Sequence, residues 1–132
     1  MKYTEATWPT SEYPNFTFRE FADRINGECD MDPTFLTMLQ SLRNAYGKSM
    51  RITSGYRSPT SPVELKKPGG PGAHTHGVAA DIAIQGEEAY HLIRLAFLRG
   101  FLGIGIKQHG EGRYVHLDMA SHVHRPMIWS YS

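Results

Sequence analysis

The chain has 132 residues, a length that one hydrophobic core serves, so a single domain spanning 1–132 is expected. Lys and Arg number 14 against 13 Asp and Glu, a net charge of +1, and this lacks the basic excess of a nucleic-acid-binding protein. The 40% hydrophobic content is too high for a disordered chain, and the single cysteine, Cys29, excludes an internal disulfide framework.

The N-terminal stretch MKYTEATWPTSEYPNF has no apolar h-region. No segment reaches the apolar length of a membrane span. The expectation is therefore a protein made in the cytoplasm without a signal peptide or membrane segment. Thr17 and Glu20 form a capping-box pattern that predicts a short helix over 18–26. Asp32 followed by Pro33 reads as an N-cap and a first-turn proline. Phe35, Leu36, Leu39, Leu42 and Tyr46 then recur at helical spacing up to Gly47, which predicts a second helix over 33–46. A short strand is expected over 50–54.

Residues 58–72, SPTSPVELKKPGGPG, contain four prolines and read as a loop. Residues 78–84, VAADIAI, alternate as a strand that carries Asp81 on one face. Ala89, Leu92, Ile93, Ala96 and Phe97 form the inner face of a third helix over 87–99, with Gly100 as its stop. Strands over 102–107 and 113–119 are joined by a turn at QHGEG. The tail, with Pro126 and Trp129, carries no assignable period. The fold class is α+β, a small antiparallel sheet with flanking helices.

Seven histidines in so short a chain are the unusual feature. His74 stands in a loop seven residues before Asp81, and His116 lies in the second strand of the predicted hairpin. Two imidazoles and a carboxylate make a donor set that suits zinc. Three protein ligands leave a fourth position for water, as catalytic sites do, and the ion lowers the pKa of such a water to about 7. The spacing by itself is weak evidence, since neither HExxH nor a paired CxxC is present.

The surrounding residues strengthen it. Ser54-Gly55-Tyr56-Arg57-Ser58 precedes the loop, and His74 to Asp81 reads H-x-x-G-x-A-x-D. Gly103-Ile104-Gly105-Ile106 leads to Tyr114-Val115-His116-Leu117-Asp118. This ordered set resembles the zinc D-alanyl-D-alanine carboxypeptidase family, whose fold is shared with the Hedgehog signalling domain. The resemblance runs from about Phe16 to Asp118 and weakly to Trp129. It implies one zinc ion held by His74, Asp81 and His116, with Arg57 steadying the substrate carbonyl. It implies hydrolysis of peptide bonds next to D-alanine in peptidoglycan stem peptides, as carboxypeptidase or endopeptidase. Ser54, Tyr56 and His76 complete the expected substrate-binding set; for His76 a plain exposed loop position is the alternative. Lys66 and Lys67 are expected either to line a cleft for an anionic stem peptide or to be solvated.

The chain also departs from that pattern. Where many relatives carry a carboxylate three residues before the last ligand, this chain has Arg113, and a guanidinium accepts no proton. The position two before it is Tyr114 rather than histidine, and Gly72 replaces a usual serine before the first ligand. Asp118 shares a strand face with His116 and is the favoured general base, with Glu111 and His109 as rivals. Asp118 acting only to orient a ligand is the alternative. Three functions follow: a monomeric zinc peptidase of a phage-lysis type, a zinc-binding module of the same fold without catalysis, or a domain without metal.

Overall fold

The capping box at Thr17 forms: Glu20 Oε1 accepts the Thr17 backbone N–H at 2.8 Å. In the computed structural model, which describes residues 1–132, the helix that follows, α1 (Phe18–Phe21), lasts a single turn rather than reaching Asn26. Asp23 ends it. One carboxylate oxygen of Asp23 accepts the N–H groups of Ile25 and Asn26, and the other accepts that of Ser58. Such local side-chain bonds offer the backbone an alternative to the helical ladder.

α2 (Pro33–Tyr46) follows the expected pattern: Asp32 Oδ1 accepts the Thr34 N–H at 2.7 Å, and Gly47 closes the helix in the left-handed conformation. α3 (Pro62–Leu65) is a one-turn helix inside the segment expected to be a loop, and it buries Glu64. α4 (Gly86–Leu98) turns Ala89, Leu92 and Ala96 inward. Phe97, expected on that inner face, is 56% exposed, because it sits one residue, about 100°, around the helix from Ala96. None of these helices is long and apolar enough to cross a membrane.

The strands are β1 (Arg51–Ser54), β2 (Ala79–Ala83), β3 (Gly103–Lys107), β4 (Tyr114–Asp118) and β5 (Met127–Ser130). They form one sheet in the order β1-β2-β4-β3-β5. Every pairing is antiparallel except β5 on β3, so the sheet is mixed, and β5 comes from the tail that periodicity left unassigned.

One face of the sheet is apolar. Ile82, Ile104, Val115 and Leu117 are at most 1% exposed and join a core with Leu36 and Leu39 of α2 and Leu92 and Ala96 of α4. Period two then fixes what the opposite face carries. Strand register sets Ser54, Asp81, His116, Gly105 and Trp129 in one row across all five strands. The neighbouring row holds Ala79, Asp118, Gly103 and Met127.

Candidate active site

Asp81 and His116 face each other because β2 and β4 pair them in register. His74 reaches the same point from the turn before β2. That turn needs a glycine at position 77: its φ is +70°, and a Cβ there would collide with the Asp30 carbonyl oxygen. The Gly77 carbonyl accepts the Asp32 N–H at 2.9 Å, which ties the turn to the start of α2.

His116 Nδ1 lies 2.9 Å from Asp81 Oδ1, and His74 Nε2 lies 3.3 Å from the same oxygen. The three ligand atoms fall within 4.8 Å of one another. Atoms bound tetrahedrally at about 2.0–2.2 Å from zinc lie roughly 3.3–3.6 Å apart, so little movement would be needed.

The outer hydrogen bonds decide the proton positions. His74 Nδ1 is 2.7 Å from the Gly55 carbonyl oxygen, which only accepts, so Nδ1 carries the proton and Nε2 keeps its lone pair. His116 Nε2 is 2.6 Å from Asp118 Oδ2 and donates to that carboxylate, which leaves the Nδ1 lone pair facing Asp81. Two lone pairs and a carboxylate oxygen thus converge with no donor among them. Only a positive charge, an added proton or a metal ion, makes that arrangement favourable, and the donor set fits zinc.

The titration directions agree. Burial alone would raise the Asp81 carboxyl, but the imidazoles of His116 and His74 hold it well below the usual range. Burial disfavours a charged His116, yet Asp118 and Asp81 together raise its pKa.

Asp118 is fully buried and fully engaged. Arg125 grips its carboxylate with two bonds, Nε to Oδ1 at 2.9 Å and Nη2 to Oδ2 at 2.7 Å. The Ala120 N–H and His116 supply two further bonds. Burial would raise its pKa, and Arg125 with His116 brings it well below the usual range. The Arg125 guanidinium also lies 4.8 Å from the Trp129 ring centroid. Space for this layer comes from Gly103 and Gly105 on β3. A Cβ at Gly103 would collide with Asp118 and Arg125, and one at Gly105 would come within 2.7 Å of Trp129 Nε1.

Arg57 lines the same cavity as these residues, of about 460 Å³. Its Nη1 donates to Glu64 Oε2 at 2.8 Å and its Nη2 to Ser54 Oγ at 3.1 Å. Glu64 is buried, which would raise its pKa, but the Gly72 N–H, Lys67 and Arg57 lower it to about 2.

The structure therefore gathers His74, Asp81, His116, Asp118 and Arg57 around one cavity, with Ser54 as the acceptor that steers Arg57. Tyr56 does not reach it: its side chain packs in the main core, and its backbone N–H bonds to Phe21. His76 is exposed outside the cavity and packs against His122, with ring centroids 3.8 Å apart and the rings tilted by 43°. The two rival bases also fall outside the lining: His109 bonds to the Tyr131 carbonyl, and Glu111 is exposed in the hairpin turn. Lys67 lines the cavity and Lys66 does not. Sequence reasoning missed Glu64 and Arg125. A signal existed for Arg125, since a carboxylate inside an apolar strand requires a cation nearby.

An α+β domain that turns two imidazoles and a carboxylate toward one point, with an arginine lining the same cavity, has the build of a metal-dependent hydrolase. The sequence matches the family described as Peptidase M15 over residues 14–118, and the chain belongs to that family. Its members are zinc-dependent metallopeptidases of the D-Ala-D-Ala carboxypeptidase type. Neither the curated proteins nor the solved structures yield a match.

Proposed function

We propose that this chain hydrolyses peptide bonds next to D-alanine in peptidoglycan stem peptides or cross-links. The observation that carries the reading is the convergence of His74 Nε2, Asp81 Oδ1 and His116 Nδ1, in a member of the M15 peptidases, on the cavity that Arg57 also lines. Those three atoms would hold one zinc ion. When bound, such an ion supplies Lewis acidity and a nucleophile at neutral pH.

The chain's own residues do the rest. Arg57, always charged and aimed by Glu64 and Ser54, stabilises the oxyanion that develops on the substrate carbonyl. Asp118 acts as the acceptor that holds the proton on His116 Nε2 and so directs Nδ1 inward, in place of the base that the strand position favoured. Its two-bond grip by Arg125 and its burial support that role. Trp129 of β5 and Tyr131, just after it, line the cavity with aromatic rings. The same reading extends to a lytic role, in which the protein lowers the turbidity of a suspension of permeabilised bacterial cells.

One observation favours a second reading, a zinc-binding module without catalysis. The carboxylates lining the cavity are Asp81 and Asp118, and both are committed to histidines. A single experiment separates the two. The protein is loaded with zinc, its metal content is measured, and digested muropeptides are analysed by mass spectrometry. One zinc per chain with new peptide ends supports the peptidase; one zinc and no new ends supports the binding module. No stoichiometric zinc defeats both.

A further inference from the structure

The Arg57 wall carries more positive charge than its own structure needs. Arg57 Nη1 and Lys67 Nζ both bind Glu64 Oε2, at 2.8 and 2.9 Å, so one carboxylate faces two cations. Each oxygen of Glu64 has a donor without Lys67, since Arg57 donates to Oε2 and the Gly72 N–H, at 2.7 Å, to Oε1. Lys67 retains donors that Glu64 does not use, and its side chain is 37% exposed where it lines the cavity.

Its ammonium is held at 2.9 Å by Glu64 and lies close over Gly72. A Cβ on Gly72 would come within 2.7 Å of Lys67 Nζ, so the glycine leaves the space that the ammonium occupies. Elsewhere around the cavity Arg125 and Asp118 neutralise each other. Among the cavity's charged pairs, only the Glu64 group leaves a cation in excess.

We propose that Lys67, held by Glu64 close over Gly72 and beside Arg57, is a carboxylate-binding subsite that selects substrates with a free carboxylate close to the scissile bond. The inference rests on the peptidase reading above for the identity of the substrate. Two carboxylates of a stem peptide have the required chemistry: the C-terminal α-carboxylate of the leaving residue and the branch carboxylate of D-isoglutamate.

The test uses the zinc-loaded full chain and three peptides: L-Ala-D-isoGlu-L-Lys-D-Ala-D-Ala, its C-terminal amide, and its D-isoglutamine form. Product release is followed by mass spectrometry and binding by calorimetry. The wild type is expected to prefer the full acid over one of the amidated peptides by about 10- to 100-fold in kcat/KM. The amidation that costs the most identifies the carboxylate. Lys67→Gln is expected to bring that ratio toward one, and Lys67→Arg to keep most of it. Equal treatment of all three peptides by the wild type overturns the subsite, as does an unchanged ratio in a Lys67→Gln protein that retains its zinc and its melting temperature. If no peptide is cut, the peptidase reading fails, and the calorimetric preference for acid over amide, lost in Lys67→Gln, still decides the subsite.

Discussion

Backbone ladders hold one wall of the cavity, whereas side chains hold the other. Asp81, His116 and Asp118 stand on β2 and β4, where register places them and neighbouring strands restrain them. Arg57, Glu64, Lys67 and Thr75 come from a segment whose regular structure is one helical turn, and they meet around the carboxylate of Glu64. On the sheet wall Arg125 matches Asp118 and leaves Asp81 to the metal position, while the loop wall carries a surplus cation. A ladder fixes ligand geometry within the narrow tolerance a metal requires. A network centred on one carboxylate aims Arg57 and leaves Lys67 with spare donors. The division predicts that damage to the sheet wall shows first in metal binding, and damage to the loop wall in substrate handling.

The largest effect should come from breaking the sheet wall at a ligand. Asp81→Ala or His116→Ala is expected to remove stoichiometric zinc and to lower muropeptide release by about 10³-fold or more. Metal analysis of the purified variant alongside digestion assays checks both. A variant that keeps full zinc would mean that the ion binds elsewhere. On the loop wall, Arg57→Lys should keep zinc and lose about 10²- to 10³-fold in kcat, because lysine lacks the planar fork that Glu64 and Ser54 aim. Loss of zinc in Arg57→Lys would erase the distinction between the walls.

Asp118 sharpens the comparison, because its two possible roles fall on different readouts. As the acceptor for His116 Nε2–H, its replacement in Asp118→Asn should weaken zinc affinity by about 10- to 100-fold while changing kcat of the fully loaded protein little. As a general base, it would leave affinity alone and lower kcat. Chelator competition and kinetics at saturating zinc separate the two. Arg125→Ala should reproduce the affinity loss and also destabilise the fold by about 3–5 kcal/mol, since it strands a fully buried carboxylate. Urea unfolding reads that cost.

The two walls also differ in how far the sequence foretold them. The sheet wall was legible because period two ties sequence spacing to a face. His116 and Asp118, two apart, had to share one, and Asp81 stood alone among apolar residues in VAADIAI. The alternation Gly103-Ile104-Gly105-Ile106 carried the rest, with isoleucines for the core and glycines making room for Asp118, Arg125 and Trp129.

The loop wall had no such code. Glu64 lies among prolines and glycines, and its burial depends on bonds to residues 57, 72 and 75 that no local period encodes. Arg125 and β5 were hidden for a related reason: β5 is a four-residue edge strand without alternating burial. The first helix was overestimated because the capping box marks a start, while its end was set by the Asp23 carboxylate, which binds Ile25, Asn26 and, across the fold, Ser58.

The smallest expected effect concerns stability rather than chemistry, and it tests whether Glu64 organises the loop wall. In the folded chain its pKa is about 2, against an ordinary value of 4.5. Burial would raise it, but the Gly72 N–H, Lys67 and Arg57 prevail. Because the folded value is the lower one, the unfolded chain binds more protons between them. The stabilisation is therefore complete above the ordinary value and drains away as pH falls from 4.5 toward 2. Glu64→Gln should cost about 2 kcal/mol at pH 7, the worth of hydrogen bonds to a charged group, and almost nothing near pH 2. Urea denaturation of both proteins across that range reads the difference, and subtraction removes the contributions of Asp81 and Asp118, common to the two. A difference that stays constant with pH would show that Glu64 acts by shape rather than charge, and the loop wall would then need another organiser for Arg57 and Lys67.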